Sequence, residues 1–184
     1  MRWEGLFADL EGRLAAHERR ELDDEVAERT RRERALVDLT SRLSAASGTT
    51  LRVALVGGPA VRGTLLDVGD DWVLLGTDTT SREVLVPLSA VATVSPLGRE
   101  SEPAGRVTRR FGIGSALRAL SRDRAPVALG LLGEGPLLVG TIDAVGADHL
   151  DLAEHPEGVP RRHENVTRVT TVRFGALLTV ESRR

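Results

Sequence analysis

The sequence predicts a mainly β protein with helices (α+β): two tandem five-stranded small barrels, each preceded by a helix, behind a long N-terminal helical segment. Three observations carry this. The stretch GTLLDVGDDWVLL (63–75) returns as GTIDAVGADHLDL (140–152), an offset of 77 residues. A second pair, VPLSAVATV (86–94) and VRFGALLTV (172–180), aligns without gaps at an offset of 86. Finally, neither Gly nor Pro occurs from Arg13 to Ala46, where Arg, Glu, Ala and Leu favour helix throughout. The difference between the two offsets lies in a longer loop after Leu152, so the chain is a duplicated module with one local insertion.

Trp3, Leu6, Phe7, Leu10 and Leu14 fall at i, i+3, i+4, i+7 and i+11, one stripe of an amphipathic helix. From Arg13 to Ala46 one long helix or a helical hairpin is expected, on the order of 50 Å if continuous. Its middle, around Leu22, Val26 and Ala27, alternates charges and is solvated, while Leu36, Leu39 and Leu43 restore a stripe that packs on the following domain. A docked or projecting helix is favoured over a coiled coil, because only Leu36, Leu39 and Leu43 keep heptad spacing.

Strands follow. Leu51, Val53 and Leu55 alternate, Gly57-Gly58-Pro59 turns the chain, and Val61–Leu66 runs back. After the Gly69-Asp70-Asp71 turn come Trp72–Leu75, Val84–Leu88 and Val91–Val94. Five short strands with frequent turns hide their edges by closing into a barrel. A loop through Gly105 leads to a helix over Arg106–Arg122, with Gly112 and Gly114 as a break near its start. Then the strands repeat as Val127–Leu132, Leu137–Ile142, His149–Leu152, Val166–Val172 and Ala176–Val180. The expected partition is 1–34 helical segment, 35–98 first helix and barrel, 99–106 linker, and 107–184 second helix and barrel.

Composition excludes several function classes. With 184 residues, 41% hydrophobic and 28% charged, the chain supports one or two compact domains. No apolar run is long enough to span a membrane, and acids in MRWEGLFADLEGR exclude a secretory core, so the expected compartment is the cytoplasm. Absence of cysteine removes disulfides, thiolate metal sites and thiol nucleophiles. All 25 basic residues are arginine, which fits codon bias in a GC-rich genome. Formal charge is −2 over 1–50, −2 over 51–98, +4 over 99–126 and −2 over 127–184, so only the connector is basic.

The stretch LRVALVGGPAVRGTLLDVGDDWVLL resembles the first motif of the Sm-like family (Sm, LSm and Hfq proteins), and VLVPLSAVATVSP resembles its second. The resemblance covers about two thirds of the chain, and SH3-like and PRC-type barrels share much of the spacing. It implies an N-terminal helix on a strongly bent five-stranded barrel, ring building by edge-strand pairing, and RNA binding through loops after strands two and four. Where the family commonly has an aspartate this chain has Gly69 and Gly146, and where it has an asparagine, Val73 and Leu150. The Lys-His pair of the Hfq branch falls on Pro87 and Leu88, and on Arg173 and Phe174. Those RNA contacts are missing, and two fused barrels could cap each other's edges without a ring.

No catalytic constellation is visible, and a non-enzymatic protein is expected. Gly57-Gly58-Pro59 and Gly133–Pro136 lack the lysine and helix of a phosphate loop, and no serine sits in a nucleophile elbow. Asp70 and Asp71 read as turn residues. His155 and His163, with Glu154, Glu157 and Glu164, read as solvated loop residues rather than metal ligands, and His149 as part of a half-buried face. No cofactor, metal or membrane is expected. The leading expectation is a binding module that docks a protein partner or a second copy through its barrels and the stripe Trp3, Leu6, Phe7, Leu10 and Leu14. The alternative is an RNA- or DNA-associated regulator using connector arginines Arg106, Arg109, Arg110 and Arg118.

Overall fold

In a computed structural model of the chain, the described residues are 22, 24–26, 28–32, 34–77, 82–102, 111–133 and 135–183. They belong to two units, Met1–Asp38 and Leu39–Arg184. In the first, the described positions between 22 and 35 are helical, and Glu28 pairs with Arg31 and Arg32 one turn on. Leu22 and Val26 are exposed, as a charge-flanked helix face requires.

The second unit is mostly β. Helix α1 (Leu39–Ala45) precedes β1 (Thr50–Leu55), β2 (Val61–Val68), β3 (Trp72–Thr77), β4 (Arg82–Pro87) and β5 (Val91–Ser95). Helix α2 (Ile113–Arg122) precedes β6 (Pro126–Leu131), β7 (Leu138–Val145), β8 (His149–Glu154), β9 (Arg168–Arg173) and β10 (Leu177–Ser182). All pairings are antiparallel within one sheet, ordered β5-β1-β2-β3-β4-β10-β6-β7-β8-β9.

The duplication extends to backbone irregularities. β2 shifts register against β3 between Leu65 and Asp67, and β7 against β8 between Ile142 and Ala144, the same place 77 residues on. Such bulges bend a strand and sharpen its twist. Gly63 and Gly140 sit directly against the backbone of the partner strand. A Cβ there would lie 2.5 Å from the Gly76 carbonyl oxygen and 2.2 Å from that of Ala153, so no side chain fits at either position.

Two apolar cores divide the strands. The first gathers Leu51, Val53, Leu65, Val73, Leu75 and Val86 under Leu43 of α1. The second gathers Val127, Leu129, Ile142, Leu150, Leu152 and Val172 under Ile113 and Leu117 of α2. Neither is self-contained: Leu178 of β10 joins the first, while Trp72 and Leu85 of β3 and β4 join the second. The two halves therefore share one sheet and lend side chains to each other's interior.

Of the two forms open to the segment from Arg13 to Ala46, one long helix or a helical hairpin, the first fails. The helix is not continuous to Ala46, because residues 36–38 leave the helical conformation before α1 begins. Leu36 is 84% exposed and Leu39 40% exposed, so of the expected stripe Leu36, Leu39 and Leu43 only Leu43 is buried.

Candidate functional site

The stripe Trp3, Leu6, Phe7, Leu10 and Leu14 and the arginines Arg106, Arg109 and Arg110 lie outside the described residues. Arg118 is described. It is exposed on α2, with Arg122 one turn further on the same face, and its guanidinium reaches the Ser115 hydroxyl at 3.4 Å. Apolar positions Ile113 and Leu117 hold the opposite face against the second core.

The start of α2 is fixed from the other half of the sequence. Asp71 Oδ1 accepts a hydrogen bond from the Ile113 amide at 2.6 Å, and the Trp72 indole donates to the Phe111 carbonyl at 2.8 Å. A carboxylate here satisfies one of the helix's unpaired N-terminal amides and complements its dipole. Asp71 is therefore more than a turn residue, since its side chain ties the connector to β3. At the matching positions of the second half, Asp148 Oδ1 lies 2.9 Å from His149 Nδ1. That contact holds the Asp148 carboxyl below its ordinary value. The backbone bond from Leu88 to the Asp71 carbonyl recurs from Phe174 to Asp148, so scaffold and side-chain roles have separated at one repeated turn.

The enlarged loop of the second half is anchored by pairs. Arg161 forks onto Asp143, and the Arg168 guanidinium donates to Glu154 at 2.7 Å. That bond, aided by the Thr170 hydroxyl, holds the Glu154 carboxyl below its ordinary value. His155 is not a solvated loop residue but 5% exposed. Its Nδ1 donates to the Pro156 carbonyl at 3.1 Å, leaving Nε2 to accept from the Thr141 hydroxyl at 2.9 Å. Among the described residues no group of three His, Asp or Glu side chains is placed to hold a metal ion.

Two surfaces remain that sequence reasoning did not isolate. One is the joint between the halves and its unpaired counterparts. At the joint β10 pairs with β4, Val180 opposite Leu85 and Glu181 opposite Val84. By the duplication β5 is the copy of β10, and β9 is the copy of β4. These two strands end the sheet. Leu177–Val180 are buried at the joint, whereas their equivalents Val91–Val94 are half-buried or exposed. On β9, Thr171 and Thr170 stand where β4 has Leu85 and Val84, with hydroxyls bonded to Asp151 and Glu154.

The other surface is a cleft of about 1180 Å³ alongside the joint. Leu55, Val61, Val84, Leu131 and Leu178 give it an apolar lining, and the repeated turns at Gly57-Gly58 and at Gly133 and Gly135 form its rim. Among the described residues its charged side chains are Arg62, Arg82 and Glu181. Arg183 approaches Glu181 at 3.5 Å and Glu157 at 3.1 Å, with Arg82 further off at 4.0 and 3.9 Å. The signal for both surfaces was present in the repeat itself: comparing the two copies position by position separates what the scaffold requires from what one half alone carries.

The chain matches no protein-family model, and no curated protein sequence matches it. No helix among the described residues is long and apolar enough to cross a membrane.

Proposed function

We propose that the chain is a non-catalytic interaction module, two fused Sm-like barrels that self-associate by adding strands at the open ends of their sheet. The observation that carries this reading is the order of strands: β4 and β10 pair, while their copies β9 and β5 terminate the sheet. Each half supports the barrel reading through its fifth strand pairing back onto its first, its bulged second strand and its single core.

An unpaired edge presents a row of amides and carbonyls that another strand can satisfy. Here the two edges differ, so a second copy adds head to tail, β5 of one chain on β9 of the next. Such contacts close into rings or extend as filaments. Threonines replace Leu85 and Val84 on the β9 side, so the contact between chains buries less apolar surface than the joint within one chain. Its association is accordingly weaker and concentration-dependent.

Sedimentation equilibrium of the full chain tests the proposal. Weight-average mass is expected to rise with concentration through multiples of 19.8 kDa. A single-chain mass across the whole range would remove the self-association reading. The alternative, association with nucleic acid through the arginine-rich connector, is supported by Arg118 and Arg122, exposed side by side on α2.

A further inference from the structure

β1 and β2 set Arg52 directly opposite Arg62. Opposed positions in an antiparallel pair bring Cβ atoms to about 5 Å, where like charges destabilise the sheet. Both arginines are exposed, and neither forms a salt bridge among the described residues. Ser95 lies opposite Arg52 on its other side, and the next pair on the same face of β1 and β2 is Thr50 with Thr64. These described neighbours offer hydroxyls but no charge.

The scaffold does not require this arrangement. In the second half the corresponding pair is Ala128 opposite Val139. A repulsive pair present in one copy and absent from the other, with no ion-pair partner among the described residues, leaves two guanidinium groups open to an anion.

Arg62 lines the cleft beside the joint, together with Arg82. The cleft's one carboxylate among the described residues, Glu181, is already shared by Arg183 and Arg82. Its remaining lining is largely apolar, from Leu55, Val61, Val84, Leu131 and Leu178. An apolar cleft with a few convergent polar groups is the usual form of a small-molecule site, and a guanidinium matches a carboxylate, phosphate or sulfonate in a forked geometry.

We infer that this cleft binds a small anion with an apolar body, its head on Arg62, which faces Arg52 across the strand pair, and its body on the wall formed by Leu55, Val84 and Leu178. The inference stands apart from self-association, because every residue it uses belongs to one chain.

The test uses the full chain and 8-anilinonaphthalene-1-sulfonate, with N-phenyl-1-naphthylamine as the uncharged counterpart. The sulfonate dye is expected to bind saturably at one site per chain. Arg62→Ala should weaken it by roughly tenfold or more, Arg52→Ala by less, and Arg118→Ala not at all. The uncharged dye should be insensitive to Arg62→Ala. Dodecanoate should displace the sulfonate dye at lower concentration than inorganic phosphate does, because phosphate lacks the apolar body. Absence of saturable binding, or equal affinity in the Arg62→Ala variant with unchanged tryptophan emission, would overturn the inference. Displacement by a single-stranded oligonucleotide at concentrations below those of dodecanoate would overturn it in favour of nucleic acid.

Discussion

Gly63 and Gly140 occupy the same place in the two halves, and both lack room for a Cβ because a backbone carbonyl of the next strand lies against them. Gly140→Ala is expected to destabilise the fold by about 1–3 kcal/mol, the usual range for overpacking. Gly175→Ala, at a site with open space around the glycine, should change stability by no more than about 0.5 kcal/mol. Urea midpoints of the two variants make the comparison, and equal midpoints would contradict the close-approach argument. Recurrence of the glycine was legible in the sequence; the neighbour that requires it was not, since that depends on the register of β2 with β3. His155 illustrates the same limit, because its burial depends on Thr141 standing across the sheet on β7. The opposed Arg52 and Arg62 are a third case: their charges can be read from the sequence, but only strand pairing places them face to face.

At the scale of elements, the strands were readable from alternation and turn residues, and the repeat supplied each one twice. Helix boundaries were less so. The break at residues 36–38 carries no Gly or Pro, and its one local signal is Asp38, a residue type favoured immediately before a helix. What settles α1 is the packing of Leu43 into the first core, a long-range contact. For α2 the sequence placed a break at Gly112 and Gly114; the helix begins at Ile113 and runs through Gly114. Its cap, however, comes from Asp71, 42 residues earlier. Asp71→Ala is expected to cost about 1 kcal/mol, as for other lost helix caps, and Asp71→Asn distinctly less. Chemical denaturation of the pair measures this, and an undiminished Asp71→Ala stability would show that the cap contributes nothing to holding the connector.

For the whole molecule, the duplication is legible in the sequence, but the way the copies join is not. Separate barrels capping one another and a single shared sheet follow equally from the same repeat, because what the two copies share does not say which of their edges is paired. β4 is the more apolar member of its pair of copies: Val84 and Leu85 correspond to Thr170 and Thr171. That difference marks which edge is covered within the chain and which faces outward. The central claim is that the outward edges meet as the inner ones do, carrying the Val180–Leu85 pairing of the joint onto Val94 and Thr171 of successive chains. The chain has no cysteine of its own, so a Val94→Cys, Thr171→Cys double variant reports this contact directly under mild oxidation. Disulfide-linked multimers in the double variant, and none beyond dimers in either single variant, are the expected result. A chain that sediments as multimers yet yields no linked species would place the contact elsewhere, and a double variant that stays a single chain under both measurements would contradict the account.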